Sequence, residues 1–172
     1  VKPEDMIISD SDGIMSNIND EMKATADYAI NAAKKRFKQE LDFSEQSISK
    51  LENILGQIYW GFSNQPKVAG EDGVILNTAT IWGSYLGEYM RLKWGGTWIL
   101  KGSNRLVSIN NIEFSPTNLV YQIITSHPEY SVKNYLIETE KKIFSSAINP
   151  QESQSLSENI NQPKKKIFSK QS

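Results

Sequence analysis

The sequence contains no cysteine and a single histidine, His127. Disulfide scaffolds, thiolate zinc or iron–sulfur sites and thiol nucleophiles are therefore excluded, and so is a multi-histidine metal site within one chain. Net charge is scarce as well: 19 Lys and Arg stand against 20 Asp and Glu, a formal charge of −1. A protein that coats nucleic acid usually carries a net basic field, so that class is disfavoured. No apolar run reaches the roughly 18–20 residues needed to cross a bilayer, and no basic segment followed by an apolar stretch reads as a leader. The chain opens on Val1; a leader removed ahead of it would leave no trace, and the cytoplasm is the default expectation. Phosphate-loop, dinucleotide and Gly-x-Ser-x-Gly strings are also missing. Trp94-Gly95-Gly96-Thr97 follows a helical pattern rather than a strand, which is the wrong setting for a dinucleotide site.

What is present suits one domain with a tail: 172 residues, of which 38% are hydrophobic. Residues 1–16 read as an N-terminal arm with a turn-like cluster, Ser9-Asp10-Ser11-Asp12-Gly13. From Asn17, Ile18, Met22, Ala26, Ala29, Ile30, Ala33 and Phe37 fall at spacings of three and four, one stripe of a helix. Asp42 or Ser44 can cap a second helix, with Glu45 placed to complete a capping box with Asp42. Ile48, Leu51, Ile54, Leu55, Ile58, Tyr59 and Phe62 form the apolar face of that helix. Gly61 to Gly73 reads as a loop. A third helix, Val74 to Trp94, is apolar around most of its girth and should lie centrally. Its Gly83 and Gly87 share a face, and a bare face in a helix interior is ordinarily compensated by a close crossing.

Gly95-Gly96 stops that helix. Thr97–Leu100 and Arg105–Ile109 read as a hairpin about Gly102-Ser103-Asn104, and Ile112–Phe114 as a short third strand after Asn110-Asn111. Ser115-Pro116 starts a fourth helix with Leu119, Val120, Ile123 and Ile124 inward, ended by His127-Pro128. Ser131 caps a fifth, with Val132, Tyr135, Leu136, Ile143 and Phe144 inward. Strands grouped between helices make the class α+β: a helical N-terminal part, a small antiparallel sheet of two to three strands, and two C-terminal helices. The domain spans residues 17–148. Residues 149–172 are rich in Ser, Gln and Asn and read as a disordered tail ending in Lys164-Lys165-Lys166. Because the tail is basic, the body is the more acidic part, which favours a basic partner.

Specific residues bring four chemistries into question. Met6-Ile7-Ile8-Ser9-Asp10-Ser11-Asp12-Gly13 resembles the first motif of haloacid dehalogenase phosphatases, in which a carboxylate nucleophile works beside a second carboxylate and a metal. The alternating strands and later acidic pair of that family do not follow, so the string is read as a turn. It also matches a calcium loop in part, but Gly13 comes too early and Ile14 occupies a ligand position. Trp60, Trp82, Trp94 and Trp98 could form a stacking surface, but they fall on apolar stripes and read as core. His127 reads as a stabilising group at a helix end.

One resemblance extends further. Ile81-Trp82-Gly83-Ser84-Tyr85-Leu86-Gly87-Glu88, then Gly95-Gly96-Thr97-Trp98, then Phe114-Ser115-Pro116, is similar to a family of uncharacterised bacterial domains of unknown function. These share a Gly-Glu helix, a Gly-x-Trp hairpin and a Pro-started helix. The similarity covers about residues 45–145 and rests on Gly83, Gly87, Glu88, Gly96, Trp98 and Pro116. It implies a fold and carries no activity with it.

Glu88 is a carboxylate in an otherwise apolar helix and must be paired or hydrogen-bonded if buried. Its expected partner is a loop backbone, Arg91 or Arg105; the other reading is a polar anchor in a groove between the third helix and the hairpin. The binding candidates are Glu88, Trp82, Trp98 and Arg91. No catalytic residue, metal site or cofactor is assigned. The expected function is a non-catalytic protein-interaction module, immunity-type by analogy, with another protein as partner. The alternatives are a carboxylate-based metal-dependent hydrolase or small-ligand-binding protein using Asp10, Asp12 or Glu88, and an anionic-surface binder using Lys164–Lys166.

Overall fold

The computed structural model describes residues 11–66, 69–126 and 129–148, with the side chains of 11–17 and 147–148 outside the description. Asp10, His127 and the tail from Asn149 therefore lie outside the described residues. The architecture is α+β. Helix α1 (Ser11–Ala32) runs into a π-helical turn (Ala33–Phe37) and is followed by α2 (Glu45–Ser63) and α3 (Glu71–Trp94). Strands β1 (Thr97–Lys101), β2 (Asn104–Ile109) and β3 (Ile112–Phe114) come next, then α4 (Pro116–Ser126) and α5 (Val132–Ile148).

Three helix boundaries differ from the sequence reading, and each hairpin strand runs one residue further toward the turn, to Lys101 and from Asn104. Helix α1 begins at Ser11, so Ser11-Asp12-Gly13 is helical rather than a turn. The segment read as a loop from Gly61 is shorter, because α2 continues to Ser63 and α3 begins at Glu71, ahead of Val74. Glu71 and Asp72 fill the first turn of α3, where acids oppose the partial positive charge of a helix start. The stripe of α1 then leaves register at Ala33, where the widened turn ends on Lys38 in the left-handed conformation.

The start of α2 is built without the expected capping box. Ser44 is the cap, and its hydroxyl accepts the Ser47 N–H at 3.3 Å. Asp42 braces the cap by accepting from the Ser44 N–H at 3.1 Å and from the Ser47 hydroxyl. Those bonds hold the Asp42 carboxyl down at about 2. Glu45 turns away to Lys93, 2.9 Å off.

Helix α3 packs against α1 on one side and α4 on the other. Its stretch from Trp82 to Met90 is buried without interruption. This middle part lies centrally, as its apolar girth implies, but the ends are not encircled: Val74, Leu76 and Leu92 are exposed. The sheet is an antiparallel meander, β1-β2-β3. Thr97 pairs with Ser108 and Lys101 with Asn104, leaving a two-residue turn at Gly102-Ser103. Asn110 and Asn111 both take positive φ, the conformation of a tight hairpin turn. Register sets Trp98 opposite Val107 and Val107 opposite Phe114, so one buried row crosses the sheet and faces the helices.

Helix α5 is capped as expected. Ser131 accepts from the Asn134 N–H, and Glu52 accepts from the Ser131 hydroxyl at 2.6 Å and the Lys133 N–H at 3.0 Å. Its inward residues are Val132, Leu136, Thr139 and Ile143; Phe144, placed inward by periodicity, is exposed.

Candidate functional site

The four sequence candidates fall into two places. Glu88, Arg91 and Trp98 come together; Trp82 lies elsewhere on α3.

Glu88 is only 3% exposed. Its oxygens accept from Arg91 Nε and Nη2 at 3.0 and 2.9 Å, a fork spaced three residues along one helix. Oε1 also accepts the indole N–H of Trp98 at 2.8 Å. The expected partner Arg91 is thus the one found, while Arg105 goes to Glu21 at 2.8 Å. The carboxylate in turn raises the Arg91 pKa above its ordinary value. Trp98 is fully buried, and its backbone N–H donates to Asn19 Oδ1 at 3.0 Å. Both polar hydrogens of Trp98 are therefore satisfied, as burial demands.

The glycines explain how the indole reaches Glu88. A Cβ at Gly87 would stand 2.1 Å from the Trp98 ring, and one at Gly83 would stand 2.5 Å from the Thr117 Cα. The expected close crossing is present on both counts: the hairpin tryptophan and the start of α4 lie against the bare face of α3. The joint is closed, with both carboxylate oxygens engaged from within the chain.

Trp82 meets the edge of Phe37 at 5.6 Å and 81°. The two rings form part of an open groove of about 340 Å³ between the end of α1, the end of α2 and the first half of α3. Ile58, Phe62 and Ile81 continue its apolar lining, and Tyr28 and Val74, 51% and 56% exposed, also line it. Gly61 lines it too, and a Cβ there would meet no atom within 4 Å. Arg36 is the charged side chain of the lining.

A second groove of about 630 Å³ is more polar, with Gln39, Asn53, Gln57 and Trp60 along it. Trp60 is 59% exposed, which corrects its reading as core; Trp82 and Trp98 are core, and Trp94 is partly buried against it. Glu52, the acid of this second groove, is committed to capping α5.

Among the described residues no group of three or more His, Asp or Glu side chains could hold a metal ion, and no helix is long and apolar enough to cross a membrane. Asp12 lies on the backbone of α1 with its side chain outside the description.

Sequence reasoning missed Asn19, Phe37 and Arg36 as neighbours of the candidates. Phe37 carried a signal as the last apolar residue of the α1 stripe; Asn19 and Arg36 are polar residues at unremarkable positions and carried none. Compared with protein-family models, curated proteins and solved structures, the chain matches none.

Proposed function

We propose that this chain is a non-catalytic protein-interaction module, and that its docking surface is the groove lined by Trp82 and Phe37. The observation that carries the reading is the partly exposed aromatic and aliphatic lining itself. Tyr28, Phe37, Phe62 and Val74 converge on one open groove from three helices, and Trp82, itself buried, completes the lining. Contiguous apolar surface left open on a folded domain marks an interaction site, and aromatic side chains dominate the buried centres of protein interfaces. The polar candidates have a different part in this account. Glu88, Arg91 and Trp98 tie the hairpin to α3 and so hold one wall of the domain in place.

The test is a photo-reactive phenylalanine analogue in place of Thr78, which lines the groove, in the full chain incubated with extract of its native cells. The adduct is identified by mass spectrometry and rebuilt from purified components. The reading expects a discrete protein adduct that disappears in the Val74→Glu chain. Absence of any protein adduct, or an adduct indifferent to Val74→Glu, would contradict it.

A further inference from the structure

The charge around the groove is unequal from wall to wall. From Asn53 through the end of α2 to Pro66 there is no charged side chain. The π-helical turn on the other side carries Lys34, Lys35 and Arg36 and ends on Lys38, with no acid among them. Lys34 is held by Glu40 at 3.4 Å. Lys35 and Arg36 make no ion pair among the described residues. Glu71 and Asp72, at the start of α3, do not line the groove.

Resting on the reading of the groove as a docking surface, we infer that its partner presents an amphipathic helix whose apolar row is flanked by acidic residues. The apolar row would seat on Phe37, Phe62 and the exposed Val74, and an acid on its edge would meet the Arg36 guanidinium. A helix laid into a groove contacts it through side chains at i, i+3, i+4 and i+7, and the uncharged α2 wall suits such a row. Gly61 leaves a bare patch of that wall for a close approach. The acidic balance of the body as a whole favoured a basic partner. Screening reduces charges beyond about 8 Å, so the basic edge beside the groove outweighs distant acids.

The experiment presents the full chain with a displayed library of helical peptides. The apolar row is fixed and the flanking positions are randomised among Glu, Gln and Lys. The inference expects enriched binders to carry Glu on one flank. Their Lys-flanked counterparts should bind about tenfold more weakly, and the preference should reverse in the Arg36→Glu chain. Arg36 is exposed, so the variant keeps its fold, which circular dichroism verifies. No enriched binder, no charge preference, or a preference unchanged by Arg36→Glu would overturn the inference. So would occupation of the groove by a second copy of this chain or by oleate in place of the peptides. If the Thr78 adduct forms while the peptides fail, only the acidic helix is refuted; if the adduct also fails, the docking surface itself is refuted.

Discussion

The indole of Trp98 lies on the bare Cα of Gly87 and donates its N–H to the carboxylate of the next residue, Glu88. The ring has no room to retreat, since its own backbone N–H is held by Asn19 on α1. A methyl at residue 87 would stand 2.1 Å from the ring. Gly87→Ala should therefore destabilise the fold, although alanine is the better helix former. Overpacking of this kind costs about 1–3 kcal/mol or more, read as a lower urea midpoint. An unchanged or raised midpoint would show that the ring shifts freely.

The fork between Glu88 and Arg91 makes a separate claim. Glu88→Leu removes the acceptor of a buried indole N–H and the partner of Arg91, and should cost about 2–3 kcal/mol, given that Arg91 is partly solvated. Glu88→Gln keeps an acceptor for the indole and should cost less. A double-mutant cycle with Arg91→Leu checks the pairing: the two losses should fall short of additivity by about 1 kcal/mol or more. Strict additivity would mean that the two side chains act independently.

Asp42 provides a pH signature. Hydrogen bonds from Ser44 and Ser47 lower its carboxyl from 3.8 to about 2 in the folded chain. A depressed folded-state pKa favours folding above the unfolded value, and the contribution disappears as pH falls through the folded value. The stability difference between the native chain and Asp42→Asn should thus be full at pH 5 and shrink between pH 3.8 and about 2. Urea midpoints across that range measure it, and a difference independent of pH would remove Asp42 from the cap.

Much of this fold was legible because its signals are local. Gly95-Gly96, Asn110-Asn111, Ser115-Pro116 and Ser131 each mark a boundary by backbone chemistry, and each boundary stands where that chemistry puts it. The joint was legible in part. Two glycines four apart announced a close crossing, and a lone carboxylate announced a partner, yet only the tertiary fold shows that Trp98 fills the first and binds the second. Phe144 and Val74 were misplaced for a related reason. Periodicity tells which residues share a face, not whether another element covers it, and no neighbour covers those positions in the described residues. The groove was beyond the sequence altogether. It needs Phe37 from the end of α1, Phe62 from the end of α2 and Trp82 from α3, three residues whose individual patterns all read as core.

The most direct test of the docking surface compares two glycines of α2. Gly56 and Gly61 are both helical, and a Cβ at either would meet no atom within 4 Å, so alanine at each should leave stability unchanged or raise it by up to about 1 kcal/mol. Only Gly61 lines the Trp82 groove. The measurement is the yield of protein adduct from the photo-reactive group at position 78, set beside the urea midpoint of each chain. The account predicts an undiminished midpoint in both chains, with the adduct reduced in Gly61→Ala and retained in Gly56→Ala. An adduct retained in full by Gly61→Ala would contradict the claim that a partner approaches α2 through this groove.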